Sequence, residues 1–240
     1  MILVWAALVA CSLFAWRLWL VIPYRRRCAM GERGAGLQAK DSSGRGNIDP
    51  TTCASTASRT DGSPYGPVKT LVVLGSGGHT SEMLKLTSHL SPETYAPLYY
   101  VVASTDHTSA QRIPQEGILS GRCKVRKTPR SREVGQSYLT SVYTTLVAGL
   151  HAALMVVKIR PDLVLVNGPG TCIPICVAAF ALRVFGLGPR SRTIFCESFC
   201  RVKSLSLSGR IMYLLADRFV VHWPELLRKY PRAEYLGQMM

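Results

Sequence analysis

Negative charge is what this sequence has least of. It carries 14 Asp and Glu against 29 Lys and Arg, a formal net charge of +15 at pH 7. Such an excess points to an anionic partner, phosphate groups or an acidic membrane surface, and is silent on fold. Nucleic acid would call for a module signature or aromatic residues interleaved with the basic ones, and neither is present. No internal repeat is evident. No Gly-Lys-Ser/Thr follows any glycine-rich loop, which excludes a P-loop. No cluster of residues stands out as a metal site, although eight cysteines are present. Two pairs, Cys172/Cys176 and Cys196/Cys200, have a spacing that zinc tolerates. The first pair lies in an apolar stretch (CIPICVAAFAL), where cysteine behaves as a small hydrophobe. Reduced thiols suit a cytosolic domain better than a secreted one.

Long apolar runs are nearly absent too. Residues 142–157 are too short to span a bilayer, and residues 163–187 are interrupted by Asn167, two prolines and Arg183. They read as buried or membrane-surface helices. The exception is the leader, residues 1–22 (MILVWAALVACSLFAWRLWLVI). At 1.5 Å per residue it spans roughly 33 Å, enough for a hydrocarbon core of about 30 Å. Trp16 and Trp19 sit towards one end, and Arg25, Arg26 and Arg27 follow. Charge after the run, with no small-residue cleavage site, argues for an anchor over a signal peptide. The positive-inside rule leaves the N-terminus across the membrane and the rest in the cytosol. Residues 23–66 begin basic and become rich in Gly, Ser, Thr and Ala. That composition reads as a flexible tether.

What remains, residues 67–240, is the length of one ordinary domain of about 100–200 residues. Its pattern alternates strand and helix, as in an α/β fold with a parallel sheet. Strands are expected over residues 68–74, 98–103, 123–127, 163–166, 193–196 and 219–221. Helices are expected over residues 80–90, from Ser137 as N-cap to 159–160, and over 171–185. Pro161 stops the second. Tyr138, Leu139, Val142, Tyr143, Leu146, Val147, Leu150 and Leu154 recur at helical spacing along it. The fold class is thus a single Rossmann-like α/β domain behind one transmembrane helix.

Open α/β sheets bind ligands where strands end and loops lead into helices. Three such places stand out. Gly75, Ser76, Gly77, Gly78, His79 and Thr80 join a strand to a helix, with glycines that allow close backbone approach and a helix start that favours anions. Thr80 stands where a dinucleotide fingerprint has its third glycine, and no acidic residue ends the next strand, so a phosphate or sugar fits better than a dinucleotide. A tight turn without a ligand is the other reading. His79, at the mouth, suits a general base near neutral pH, or a simple hydrogen-bond donor. Asn167, Gly168, Pro169, Gly170 and Thr171 form a second sharp turn with free backbone N–H groups. Glu197 and Ser198 follow the strand that ends at Cys196, with Arg201 and Lys203 nearby; the carboxylate suits sugar hydroxyls, a proton, or a helix cap or ion pair. Between these lies a basic run, Lys124, Arg126, Lys127, Arg130 and Arg132, suited to headgroups, a diphosphate or plain solvent.

Four segments carry a resemblance: VLGSGGHTSEML (73–84), LVNGPGTCIP (165–174), ESFCRVKSLSLSG (197–209) and HWPEL…YPRAEYLG (222–237). Together they resemble the membrane-anchor subunits of the endoplasmic-reticulum UDP-N-acetylglucosamine transferase of asparagine-linked glycosylation. That enzyme adds the second GlcNAc to dolichol diphosphate-GlcNAc. The family is similar to the N-terminal, acceptor-binding half of GT-B glycosyltransferases. The resemblance therefore implies a soluble partner that brings the donor-binding half and most of the UDP-GlcNAc contacts. No tightly bound cofactor is expected and no metal-ligand cluster appears; the sequence does not exclude a loosely bound divalent ion. Gly75, Gly77, Gly78 and His79 match the family's glycine-rich loop, Asn167 to Gly170 a loop facing the acceptor diphosphate, and Glu197 and Ser198 a third motif. Tyr235 to Met240 match a segment implicated in partner docking. A contact with the enzyme that makes the first GlcNAc intermediate is also implied. The β-1,4 product of an α-linked donor requires inversion, with His79 the first choice for the base and Glu197 the second. Two other classes stay open: a purely structural tether, and a self-sufficient nucleotide-sugar enzyme.

Overall fold

Strand β1 (Thr70–Val73) is buried along its whole length, and its side chains alternate between two cores. Leu71 and Val73 face one, Val72 and Leu74 the other. The same alternation runs through β2 (Leu98–Ala103) and β4 (Leu163–Asn167): Val101, Val164 and Val166 on one side, Tyr100, Val102 and Leu165 on the other. A strand buried on both faces reads as a continuous apolar run, which is how these three appear in sequence. The computed structural model describes Ser12, Ala15, Trp16 and Leu18, all helical, and residues 66–130, 138–168, 170–187 and 191–237. Most of the expected leader, the tether up to residue 65, Arg132, Ser137 and Pro169 lie outside the described residues, as does the tail after Gly237.

The sheet is entirely parallel and has the order β3-β2-β1-β4-β5-β6-β7. The remaining strands are β3 (Cys123–Thr128), β5 (Arg192–Cys196), β6 (Arg218–Val221) and β7 (Glu234–Tyr235). Helices α1 (Gly78–Ser88), α2 (His107–Gln111) and α3 (Gln115–Leu119) lie in the first half. Helices α4 (Tyr138–Ile159), α5 (Cys172–Phe185), α6 (Leu207–Leu215) and α7 (Glu225–Lys229) lie in the second. The two sets pack on opposite faces of the sheet, as right-handed crossovers require when the strand order reverses between β1 and β4. Two-residue β7 pairs with β6 and is held by Arg218, whose Nε donates to Glu234 Oε2 at 2.8 Å. The sequence had suggested that β6 closes the sheet; a strand of two residues has no periodicity to detect.

Helix α4 keeps its expected end at Ile159, before Arg160 and Pro161, and turns the large residues of its apolar stripe outward. Tyr143, Leu146, Leu150 and Leu154 are 63–72 % exposed. The core face is Ala148, Ala152, Met155, Val156 and Ile159. Large residues drew attention to the outer stripe, while small ones do the packing. Ala152 shares a core with Ala178 and Ala179 of α5, where short side chains let the two helices approach closely. Helix α5 starts with Pro174 in its first turn, where no N–H is lost, and ends at Gly186 in the left-handed region (φ 70°). The Leu187 N–H closes back on the Leu182 carbonyl at 3.0 Å. Phe195 and Phe219 stack at 5.0 Å between β5 and β6, with Tyr213 edge-on to Phe219. Among the described residues no helix is long and apolar enough to cross a membrane.

The orientation of α4 has a direct check. Ala152→Leu adds volume to a closed core and is expected to lower stability by about 1–3 kcal/mol. Leu150→Ser, on the outer face, should stay within about 0.5 kcal/mol. Thermal unfolding of both variants decides the matter, and the reverse ranking would contradict the packing.

Candidate functional site

The loops that follow β1, β4 and β5 meet at the carboxyl end of the sheet, around the point where strand order reverses. The first needs glycine: Gly77 has φ 63° and ψ −121° at the N-cap of α1, a conformation closed to residues with a Cβ. Helix α1 begins two residues earlier than expected, so His79 lies in its first turn. Thr80 is fully buried beneath the loop. Its hydroxyl donates to the Gly75 carbonyl and meets Ser109 Oγ at 2.6 Å. Ser109 Oγ also contacts Asp106 Oδ2 at 2.6 Å. Burial works against the charge of Asp106, but the bonds from Ser109 and Thr108 and the charge of Arg130 outweigh it and hold its carboxyl below the usual range. Thr80 thus closes the loop from below, while Ser76, Gly77 and Gly78 stay exposed above it.

Asn167 ends β4 and is fully buried. Its Oδ1 lies 3.0 Å from His79 Nδ1, and its Nδ2 donates to Glu82 Oε2 at 2.5 Å. Gly168 follows with φ 57°, and a Cβ there would come within 2.9 Å of His79 Cε1. That glycine serves both the turn and the room the imidazole occupies. Gly170 is exposed, and Thr171 precedes α5 without capping it through its side chain.

Ser198 Oγ donates to Glu82 Oε1 at 3.3 Å, bringing the third loop into the same network. Glu197 is 1 % exposed, and its carboxylate accepts the N–H of Ser198 at 3.0 Å, the N–H of Ser206 at 3.0 Å and the Ser206 hydroxyl at 3.2 Å. Ser206 in turn caps α6 through the Gly209 N–H at 2.9 Å, and a Cβ on Gly209 would collide with Glu197. Glu197 therefore ties down both ends of the 198–206 loop. From outside, Trp223 Nε1 donates to the Phe199 carbonyl at 2.7 Å. His222 is 1 % exposed beneath this loop, with no hydrogen-bond partner for either ring nitrogen among the described residues. Burial pushes its pKa down, against the opposing pull of Glu82, the Gly237 backbone and Glu197.

Between the three loops opens a cavity of about 440 Å³, lined by Gly78, His79, Glu82, Gly168, Glu197, Ser198, Cys200, Arg201 and Ser206. The structure thus unites the three places the sequence singled out. It also adds Glu82, which the sequence reading passed over. Only its position three residues after His79, on one helical face, could have signalled it. Glu82 is 16 % exposed, and its oxygen lies 3.6 Å from His79 Nδ1. Burial and then the Glu82 charge push the thiol of nearby Cys196 up to about 12. The cavity offers an anion the start of α1 and Arg201, and offers a hydroxyl the His79 imidazole.

Fold and loops together define a class: a doubly wound parallel α/β domain with its ligand crevice at the switch point. The chain belongs to the Alg14-like family of oligosaccharide biosynthesis proteins, whose pattern it matches over residues 70–239. It is 44 % identical over 187 residues to the UDP-N-acetylglucosamine transferase subunit ALG14 of Mus musculus, covering 74 % of this chain and 85 % of that one. To the Homo sapiens protein of the same name it is 42 % identical over 189 residues, 75 % of this chain and 87 % of the other. Among solved structures, Acinetobacter baumannii MurG matches with a TM-score of 0.48 and 13 % identity, over 66 % of this chain and 42 % of MurG.

The part given to Glu197 is testable by hydrogen exchange. Glu197→Ala leaves the buried Ser198 N–H and the half-buried Ser206 N–H and hydroxyl without their acceptor and should cost about 1–3 kcal/mol. Amide protection at Ser198 and Ser206 should fall first. Wild-type protection at both would mean that the loop is held by something else.

Proposed function

We propose that this chain is the membrane-tethered, acceptor-binding subunit of a heteromeric UDP-GlcNAc transferase. The pair adds the second GlcNAc, in β-1,4 linkage, to dolichol diphosphate-GlcNAc on the cytosolic face of the endoplasmic reticulum. A soluble subunit closes over the cavity and brings UDP-GlcNAc. The observation that carries this reading is one cavity in which His79, the start of α1 and Arg201 face the same space. That is the set a sugar diphosphate acceptor needs: donors for the diphosphate and a base for the hydroxyl. The relatives' printed name, a UDP-N-acetylglucosamine transferase subunit, agrees with it. A crevice at the point where strand order reverses is what one half of a GT-B enzyme would provide.

In the reaction, the acceptor 4-hydroxyl attacks the anomeric carbon of the donor sugar from the side opposite UDP. A new C–O bond forms as the bond to the UDP phosphate breaks, which inverts the centre. The hydroxyl proton passes to His79, and UDP leaves with the bonding electron pair. The lipid tail of the acceptor has a place too. The outer face of α4 is apolar, and Lys124, Arg126 and Lys127 of neighbouring β3 are exposed. An apolar face beside basic side chains is suited to lie against anionic headgroups.

The test is GlcNAc transfer to a GlcNAc-diphosphate-lipid, measured with the chain alone, the soluble subunit alone and both together. Activity is expected only from the pair, and activity from either protein alone would refute the reading. His79→Ala should lower kcat of the pair by about a hundredfold or more, with co-purification of the two subunits intact. Replacing Leu146, Leu150 and Leu154 by Ser should raise KM for a long-chain acceptor in membranes. A short-chain, water-soluble acceptor should be used as before, and equal effects on both would argue against a membrane role for α4.

A further inference from the structure

The orientation of two side chains at the switch point is decided by a third. A carboxylate oxygen only accepts, so the Asn167 atom at 2.5 Å from Glu82 Oε2 has to be the amide nitrogen. That turns Asn167 Oδ1, also only an acceptor, towards His79 Nδ1 at 3.0 Å. The second polar neighbour of Nδ1 is Glu82 Oε2 itself, at 3.6 Å. Facing two acceptors, Nδ1 carries the hydrogen, and in the neutral ring Nε2 is the bare nitrogen. His79 lines the cavity, and no polar atom among the described residues bonds Nε2. Ser198, donating to the other oxygen of Glu82 at 3.3 Å, keeps the carboxylate from turning away.

We propose that Glu82 is the positioning residue of this site: through the Asn167 amide it fixes His79 in the tautomer whose unprotonated Nε2 meets the acceptor hydroxyl. The catalytic meaning of this tautomer rests on the transferase reading above; the tautomer itself does not. Glu82 touches no reacting atom. It acts on His79 as the carboxylate of a catalytic triad acts on its imidazole, with an amide relayed between them. Without it the amide is free to rotate, to offer Nδ2 to His79 and to draw the hydrogen onto Nε2. The base would then present a donor to a group that must lose a proton.

The experiment uses full-length chain in micelles, bound to its soluble subunit and labelled with 15N-histidine. Imidazole 15N shifts report which nitrogen of His79 is protonated, and transfer kinetics are read on the same samples. Glu82→Met removes the acceptor and keeps the length. The expected result is a second population with hydrogen on Nε2, a kcat about tenfold or more lower, and an acceptor KM within about twofold. Adding Asn167→Asp restores an acceptor-only group beside Nδ1 without Glu82. The double variant should regain the single tautomer and most of the lost kcat, which a merely structural pin would not allow. Glu82→Gln preserves volume and provides the same shift readout should the Met variant fail to fold; it should show both tautomers. His79 shifts unchanged in the folded variants, or a double variant that recovers neither tautomer nor turnover, would overturn the proposal. If the shifts move as expected but the wild-type pair transfers no GlcNAc, the transferase reading fails and the tautomer assignment stands.

Discussion

The side-chain amide of Asn167 lies fully buried where the strand order reverses, and the loops around it depend on its bonds. A buried amide without partners would cost several kcal/mol, so its two polar atoms have to be matched. One atom takes the helix after β1 through His79, the other takes the same helix one turn on through Glu82. Glu82 then reaches the loop after β5 through Ser198. Three segments far apart in sequence are therefore held by one polar network. The low dielectric that strengthens these bonds also makes a broken one expensive, which favours a single arrangement over several.

The glycines set the other constraint. Gly77 and Gly168 both have positive φ, at the entry to α1 and at the exit from β4. The first frees the start of α1 for a ligand, and the second leaves room for an imidazole against the backbone. Opposite them the 198–206 loop is fixed from inside by Glu197 and from outside by Trp223. The two acidic residues near the cavity thus have different partners. Glu197 is surrounded by donors from its own loop, and Glu82 by groups from other loops.

Much of this was legible in the sequence, and what was not has a physical reason. Glycine loops after apolar runs announce themselves, because only glycine suits such turns and only buried parallel strands are so uniformly apolar. The strand–helix alternation and the helix stop before Pro161 are equally local signals. Glu82 was not legible: a glutamate in a helix reads as a solvated residue until the fold brings Asn167 against it from 85 positions away. The facing of α4 was not legible for a related reason. Large apolar residues at helical spacing usually mark the buried face, yet here alanines pack against α5 and the large residues point outward. Spacing shows that a helix has an apolar stripe; it does not tell which of two stripes meets the sheet. Strand β7 needed the pairing itself, since two residues carry no pattern.

That outward stripe bears on why one domain would be half of an enzyme. Under the proposed function, the acceptor is a lipid whose reactive sugar must leave the headgroup plane, while the donor arrives from water. The crevice where strand order reverses would, on that reading, hold the acceptor's diphosphate and take its proton. An apolar helix face flanked by basic strand residues would orient that crevice relative to the bilayer, so that the acceptor enters along the membrane. The donor half then has to come from the open side of the cavity. On that reading, splitting the two halves between chains would place the lipid-facing requirements, apolar surface and positive charge, on the tethered one, and the other would be free to remain soluble.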